Sequence, residues 1–285
     1  MGLTDIKPAM RTKAAVYLRR DYLVRILTPT IAYVSLSLFP ARIVLIPGRL
    51  SVEIADGIAL PAGLLFGPVG AGGAALGSVL SDVIAGVAGP LSLFGVFGQL
   101  FFGLVAYELW QRFGSLPPGL ATVRDVGVLG LVALVGGMAA TAIVGWGYAA
   151  LGEYPFFVAT VLEFPGLLVA AVGVSVPVLL VLSKVRERRG VIGAVTDPTP
   201  ERDRTAKSST TSLLIPVVWY LAGTGLSVGY RMYELVPEET FRSFELGLLL
   251  VFNNDAVFGD SGTHFQIVLG SFLFVVLVVV QLGER

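Results

Sequence analysis

Long apolar stretches alternate with short polar ones along almost the whole chain. A run of about 20 apolar residues forms a helix long enough to cross the hydrocarbon core of a bilayer. This pattern predicts crossings near residues 26–46, 52–66, 69–87, 92–110, 126–150, 156–182, 213–230 and 265–282. The predicted fold is therefore all-α, a polytopic transmembrane helical bundle of about eight spans.

Residues 52–113 are the most informative part of this pattern, because they are apolar and rich in glycine and carry few acids. The Gly67-Pro68 pair predicts a tight break between the second and third crossings. Small residues at a spacing of four let helix backbones approach closely in a membrane. The third crossing has three of them: Gly73, Gly77 and Ser81.

The basic residues predict the orientation of the bundle, since cytoplasmic loops retain Lys and Arg. With the N-terminus and the C-terminus in the cytoplasm, 16 of the 20 Lys and Arg lie on that side. The outer side keeps four of them: Arg42, Arg49, Arg231 and Arg242. This bias places the Gly67-Pro68 break at the cytoplasmic face.

The composition supports the membrane assignment. The chain is 55% hydrophobic and 14% charged, with a mean hydropathy of +0.81, which predicts a multi-pass protein of the cell membrane in contact with the lipid bilayer. A formal net charge of zero argues against a nucleic-acid partner, because phosphate binding needs a cationic surplus. The lack of cysteine excludes disulfides and thiolate metal sites.

The polar stretches predict three parts. Residues 1–185 form a six-helix membrane bundle, and residues 186–212 are charged, proline-bearing and typical of a flexible cytoplasmic linker. Residues 213–285 form a two-helix membrane appendage with an acidic external loop. In that loop residues 244–252 (FELGLLLVF) are apolar but too short to span, which indicates a re-entrant or interfacial half-helix.

Acids inside predicted crossings need a partner, a water-filled cavity or a function, because an intramembrane charge is costly. Asp56, Asp82 and Glu163 all fall in the outer half of the membrane in the predicted orientation, and Pro165 follows Glu163 closely enough to kink its helix. One interpretation is an outward-facing polar pocket. The other is that these acids pair with Arg42 and Arg49 of the first outer loop and only fasten the bundle.

Aromatic and amide side chains lie near the same face. Trp146 and Tyr148 end the fifth crossing, where they either anchor the helix at the interface or stack on a flat or cationic ligand. Gln99 in the fourth crossing can hydrogen-bond a neighbouring helix or a ligand. All of these are candidate ligand-binding residues: Arg42, Arg49, Asp56, Asp82, Gln99, Trp146, Tyr148 and Glu163.

The chain offers little for catalysis. Asp260, Ser261 and His264 are the residue types of a hydrolytic triad, but they are adjacent in one loop, and a triad is defined by spatial roles. His264 is the only histidine, and no G-x-x-x-x-G-K-[ST] loop occurs. We therefore predict a protein that is not an enzyme and has no catalytic residues, no metal site and no cofactor.

The stretch LLFGPVGAGGAALGSVLSD, together with six crossings in the first 185 residues, resembles the substrate-capture component of energy-coupling-factor vitamin transporters. The resemblance implies a six-helix bundle that holds a vitamin-like molecule under the first outer loop. It places Arg42, Arg49, Glu53 and Asp56 on the lid side, with Asp82 and Glu163 near the pocket. It also implies a transmembrane coupling subunit with ATPases as the partner.

A second resemblance covers more of the chain. DGIALPAGLLFG, TVRDVGVLGLVALVGGMAATAIVG and GLLVAAVGVSVPVLLVL are similar to the eight-helix membrane-associated sensor domains that precede histidine kinases and cyclic-dinucleotide enzymes. It implies that the chain signals through a partner protein. We predict a transport protein that captures a vitamin-like or amine-bearing solute from the outer face, and the alternative is a membrane-embedded sensor.

Overall fold

The computed structural model describes residues 8–39, 42–46, 50–153, 155–189, 210–235 and 260–283. These residues form a helical bundle with one short pair of strands. The order is α1 (Pro8–Ser37), β1 (Arg42–Ile46), β2 (Leu50–Glu53), a 3₁₀ helix (Ile54–Ile58), α2 (Ala59–Ala85), α3 (Pro90–Phe113), α4 (Val123–Ala150), α5 (Phe156–Arg189), α6 (Thr210–Leu235) and α7 (Asp260–Gly283).

The predicted helical bundle is confirmed. Within the described residues, four helical stretches are long and apolar enough to cross a membrane: Ile54–Ala85, Pro90–Phe113, Val123–Ala150 and Phe156–Lys184. Leu214–Val228 and Ile267–Val280 are apolar but shorter. The number of crossings and the sides on which the termini lie stay predictions.

The predicted crossing at residues 26–46 is wrong in its second half. Helix α1 ends at Ser37, and Arg42–Ile46 is extended and pairs antiparallel with Leu50–Glu53. Pro40 explains the end of the helix, because proline disfavours the helical conformation in the residue before it. The strand sequence RIVLI is rich in β-branched residues, which favour extended backbone.

The predicted crossing at residues 52–66 is α-helical only in its second half. Its first residues belong to β2 and to the 3₁₀ helix Ile54–Ile58, and α-helix begins at Ala59. The eight residues 59–66 rise about 12 Å at the pitch of an α-helix, which is short of a full crossing. Asp56 therefore lies on a 3₁₀ turn inside the bundle.

The chain reverses at Gly67, whose φ of 64° and ψ of −150° interrupt the helical stretch. A Cβ placed on Gly103 would lie 3.1 Å from the carbonyl oxygen of Ala59 and 2.9 Å from the Cα of Ala71. In a straight helix those two residues would be about 18 Å apart along the axis. Residues 54–66 and 68–85 are therefore the first and second arms of a hairpin, and the predicted Gly67-Pro68 break is confirmed.

The small residues of the second arm let α1 approach closely, as their spacing of four predicted. A Cβ on Gly73 would overlap the carbonyl oxygen of Ile26, and one on Gly77 would lie 2.6 Å from the Cβ of Tyr33. The hydroxyl of Thr30 donates to the carbonyl oxygen of Gly73 at 2.8 Å. Close backbone approach and this interhelical hydrogen bond join α1 to α2.

A group of polar contacts, which we term the loop cluster (Trp110, Ser115, Thr122 and Asp125), closes the connection between α3 and α4. Asp125, which is 0% exposed, accepts from the Ser115 N–H at 3.1 Å, the Thr122 N–H at 3.1 Å and the Thr122 hydroxyl at 2.7 Å. The indole N–H of Trp110 donates to the Ser115 carbonyl oxygen at 2.8 Å. The bonds between Thr122 and Asp125 cap the start of α4, and the bonds of Ser115 close the loop.

Helices α6 and α7 both pack on α4, and α6 also packs on α5. The rings of Phe274 and Trp219 lie 5.6 Å and 6.0 Å from the Trp146 ring of α4, and Gly270 faces the same indole. The predicted linker at residues 186–212 falls largely outside the described residues, with α5 running to Arg189 and α6 beginning at Thr210. The segment proposed as a half-helix, residues 244–252, lies outside them as well.

Candidate functional site

Five polar side chains from five different elements meet inside the apolar bundle, and we term them the core cluster. They are Tyr33 of α1, Asp56 of the 3₁₀ helix, Gln99 of α3, Tyr148 of α4 and Glu163 of α5. The cluster lies near the end of the hairpin opposite Gly67. A polar group built from so many apolar helices is costly to bury unless its members satisfy one another or a ligand.

Asp56 is the centre of the core cluster. Its Oδ1 accepts a hydrogen bond from the Tyr33 hydroxyl at 2.7 Å and another from the Gln99 Nε2 at 2.9 Å. Tyr33 is only 3% exposed, so its hydroxyl reaches the carboxylate through the packed interior of the bundle. The carboxylate is thus oriented by donors from two neighbouring helices.

Glu163 brings a second carboxylate to the same region. The Tyr148 hydroxyl donates a hydrogen bond to Glu163, and Glu163 interacts electrostatically with Asp56 and, more weakly, with Glu53. Like charges repel more strongly where water is scarce, since the effective dielectric constant is lower there. The fold thus holds two acids within electrostatic reach of each other in its interior.

The side-chain oxygen of Gln99 is a buried acceptor that no hydrogen bond of the described residues satisfies. Its side chain is 7% exposed, its Nε2 donates to Asp56, and its Oε1 is buried with no hydrogen-bond partner among the described residues. The assignment of the two amide atoms follows from the Asp56 carboxylate, which accepts a hydrogen bond from N–H and not from a carbonyl. A buried acceptor left unpaired costs about 1–3 kcal/mol.

Glycines position the cluster by letting backbones touch. A Cβ on Gly57, the neighbour of Asp56, would overlap the carbonyl oxygen of Ala170 in α5. A Cβ on Gly63 in the first arm would overlap the carbonyl oxygen of Gly103, one turn beyond Gln99 in α3. The first arm is therefore packed closely against α3, which carries Gln99, and α5, which carries Glu163.

The structure brings together four of the residues predicted from the sequence: Asp56, Gln99, Tyr148 and Glu163. Trp146 is not among them. It lies two positions before Tyr148, on the far side of α4, and its ring contacts Phe94 at 5.2 Å and the α6 and α7 aromatics. Helical geometry separates positions two residues apart by about 200°, which explains the opposite directions.

The other predicted residues stand apart from these contacts or outside them. Asp82 is partly buried near the end of α2, and no hydrogen bond of the described residues involves its carboxylate. The backbone of Arg42 pairs with that of Glu53 in the strand ladder. Arg49 lies outside the described residues, so pairing of the acids with these arginines stays an open alternative.

Tyr33 is the residue that the sequence interpretation missed. A single tyrosine in an apolar helix is an ordinary packing residue, so its type alone gave no signal. Thr30 and Tyr33 lie on one face of α1, three positions apart, and both contact the glycines of the second arm. That pairing of a polar face with a small-residue stripe was the usable signal.

The described residues bring together no group of three or more His, Cys, Asp or Glu side chains able to hold a metal ion. The core cluster has instead carboxylate, amide and phenol groups, which suit hydrogen bonding to a polar or charged organic molecule.

No protein-family model, curated protein or solved structure matches the chain. Both family resemblances therefore stay predictions, and function is inferred from the chemistry of the core cluster.

Proposed function

We propose that the protein is a multi-pass protein of the cell membrane that captures a small molecule in the core cluster, as the substrate-binding subunit of a transporter. The observation that carries this proposal is the buried Gln99 Oε1, which lies beside Asp56 and has no hydrogen-bond partner in the part of the chain that the structure describes. Polar groups inside an apolar bundle are costly, and an occupant that satisfies them offsets the cost.

The position of the core cluster supports a capture role. The core cluster lies toward the end of the hairpin away from Gly67, beside the β1–β2 pair that packs on α5. In the predicted orientation that end faces outward. The strand pair then covers the route from the outer surface to Asp56, which agrees with the lid role implied for the first outer loop.

Uphill transport would need energy from a gradient or from a partner, because the sequence has no nucleotide-binding loop. A transmembrane coupling subunit with ATPases is the proposed partner. Uptake of the captured molecule by cells would then require the chain and its coupling subunit together, and it would stop when ATP is depleted.

Sensing is the second candidate, and one contact favours it. Tyr148 and Trp146 lie on opposite sides of α4, so one touches the core cluster while the other packs against α6 and α7. A ligand that shifts Tyr148 would move α4 against those two helices. Ligand-dependent signalling through a partner without any uptake would favour this reading.

Native mass spectrometry of the purified full-length protein tests capture directly. We expect a retained small molecule in the wild type and its loss in Asp56→Asn and Glu163→Gln, which remove one charge each. Glu153→Gln is the matched control, since Glu153 is exposed in the loop after α4. Equal retention by all four proteins, or no retained molecule in any preparation, would contradict capture at this site.

A further inference from the structure

The N-terminal part of α1 extends past the end of the bundle where the hairpin turns, which we term the turn end. Gly73 of the second arm contacts Ile26, and Gly77 contacts Tyr33, so α1 and the second arm run side by side in the same direction. At the rise of an α-helix, the hairpin turn lies about 9 Å before Gly73, whereas Pro8 lies about 27 Å before Ile26. The first turns of α1 therefore reach about 18 Å beyond the hairpin turn.

This projecting part of α1 is basic along its whole length. Residues 8–20 contain four Lys or Arg and no Asp or Glu. Directly after them, α1 exposes the apolar side chains of Leu23, Val24 and Leu27. A cationic segment thus continues into an exposed apolar face, an order that matches the headgroup and the acyl chains of a lipid. The four basic residues are Arg11, Lys13, Arg19 and Arg20.

The ends of α3, α4 and α5 lie at the same turn end. The hairpin turn faces the ring of Tyr107, less than two helical turns before α3 ends, and the loop cluster joins that end of α3 to the start of α4. Helices α4 and α5 are antiparallel, since Gly137 contacts Leu168 and Gly145 contacts Thr160. The end of α5 therefore lies beside the start of α4. Among the side chains that the structure describes, the exposed cations of these three ends are Arg112, Arg124 and Lys184.

The acids of this side cannot neutralise all of its cations. In the predicted orientation that side holds 16 of the 20 Lys and Arg but nine of the 20 Asp and Glu. Asp21 pairs with Arg25 at 3.0 Å, and Asp125 is held in the loop cluster. Even if each of the nine acids paired with a cation, positive charge would remain in excess. An excess of this sign at a membrane surface attracts anionic lipids.

We propose that the first turns of α1 bind the headgroups of anionic phospholipids in the leaflet at the turn end, with acyl chains against the exposed apolar residues of α1. An acidic protein surface would match the charge, but it would not match the apolar face that follows. The attraction is Coulombic, so salt weakens it. This surface lies at the opposite end of the bundle from the core cluster and does not depend on what that cluster captures.

Thermal unfolding of the full-length protein in detergent micelles tests the proposal. Phosphatidylglycerol and phosphatidylcholine with the same acyl chains are titrated into the micelles at low salt, and glycerol phosphate serves as the free headgroup. Binding to the folded state raises the unfolding midpoint in a saturable way. We expect a saturable rise with phosphatidylglycerol that high salt abolishes, a smaller and salt-independent rise with phosphatidylcholine, and none with glycerol phosphate.

Two double variants, each of which removes two positive charges, locate the effect. Arg19→Gln combined with Arg20→Gln should weaken phosphatidylglycerol binding at least about fivefold, because both charges belong to the basic part of α1. Arg231→Gln combined with Arg242→Gln is the matched control, since these arginines fall on the outer side in the predicted orientation. The control should bind phosphatidylglycerol like the wild type.

Several outcomes would overturn the proposal. These are a response to phosphatidylcholine or glycerol phosphate equal to that with phosphatidylglycerol, and a phosphatidylglycerol response that high salt leaves unchanged. Unchanged affinity in the α1 double variant, or an equal loss in both double variants, would overturn it as well. None of these measurements involves the core cluster, so a failure of lipid binding and a failure of capture are distinguishable.

Discussion

An acid lies beside each end of α4. Asp125 of the loop cluster is at one end, and Glu163 of α5 contacts Tyr148 at the other end, about 35 Å along the helix. Asp125 accepts three hydrogen bonds from Ser115 and Thr122 and has its needs met locally. The core cluster instead places two acids within electrostatic reach, and the Gln99 Oε1 has no hydrogen-bond partner among the described residues.

Asp125 therefore stabilises the fold, whereas Asp56 and Glu163 are acids that the bundle contains without such local stabilisation. Backbone N–H groups hold Asp125, so the acid caps α4 and closes its loop. Side chains from three other elements hold Asp56 and Glu163, so those acids depend on the packing of the whole bundle. Substitutions at the two ends should therefore have opposite effects on stability and on ligand retention.

Asp125→Ala should have the largest effect on stability. It removes the acceptor of three hydrogen bonds at a fully buried position, and we expect the free energy of unfolding to fall by about 3 kcal/mol. Equilibrium unfolding in detergent measures the loss. Asp125→Asn, which keeps one oxygen, should cost less, and a loss below about 1 kcal/mol for the alanine variant would remove the structural role.

Gly63→Ala should be next, with a loss of about 2 kcal/mol from overpacking. The new methyl group would overlap the backbone of Gly103, which cannot move aside without shifting α3. Because the first arm also carries Asp56, the variant should lose ligand retention in native mass spectrometry. Gly72→Ala is the control, since its Cβ would meet open space; an equal loss in both variants would exclude this cause.

Thr122→Ala removes the hydroxyl that caps α4 in the loop cluster, and its effect should be smaller. The Thr122 hydroxyl accepts from the Asp125 N–H at 3.1 Å and donates to its carboxylate at 2.7 Å. Removing an N-cap hydroxyl typically costs about 1 kcal/mol, and unfolding in detergent should show that loss with ligand retention unchanged. Thr122→Ser keeps the hydroxyl and should unfold like the wild type; an equal loss in serine would point to the methyl group instead.

Much of the bundle was predictable because its signals are local. Glycine followed by proline marks the reversal at Gly67, and the spacing of Gly73 and Gly77 marks the face that admits α1. The chemistry of the core cluster was also partly predictable. Acids such as Asp56 and Glu163 are conspicuous in apolar helices, and orientation by loop charges places them at one end.

The remaining features depend on tertiary contacts that hydropathy does not encode. Residues 42–46 are apolar, and a short apolar run does not distinguish strand from helix. The direction of Trp146 was equally open, since α4 is apolar on every face and no polar side marks its rotation. Tyr33 joins the core cluster only because the hairpin brings Asp56 beside α1.

Glu163→Gln should have the smallest effect on stability. The amide keeps the size of the side chain and an oxygen for the Tyr148 hydroxyl, and it removes the repulsion with Asp56. Neutralising one of two like charges in a poorly screened site removes their mutual repulsion. We expect a change within about 0.5 kcal/mol in unfolding experiments in detergent.

The stability of Glu163→Gln distinguishes a ligand-binding role of Glu163 from a structural one. If Glu163 is kept for a ligand, stability should survive its neutralisation while ligand retention is lost, the reverse of Thr122→Ala. If Glu163 fastens the bundle through an arginine, its neutralisation leaves an unpaired buried cation, and stability should fall by several kcal/mol. A loss of that size in Glu163→Gln, with Glu153→Gln unchanged, would mean that Glu163 stabilises the fold as Asp125 does.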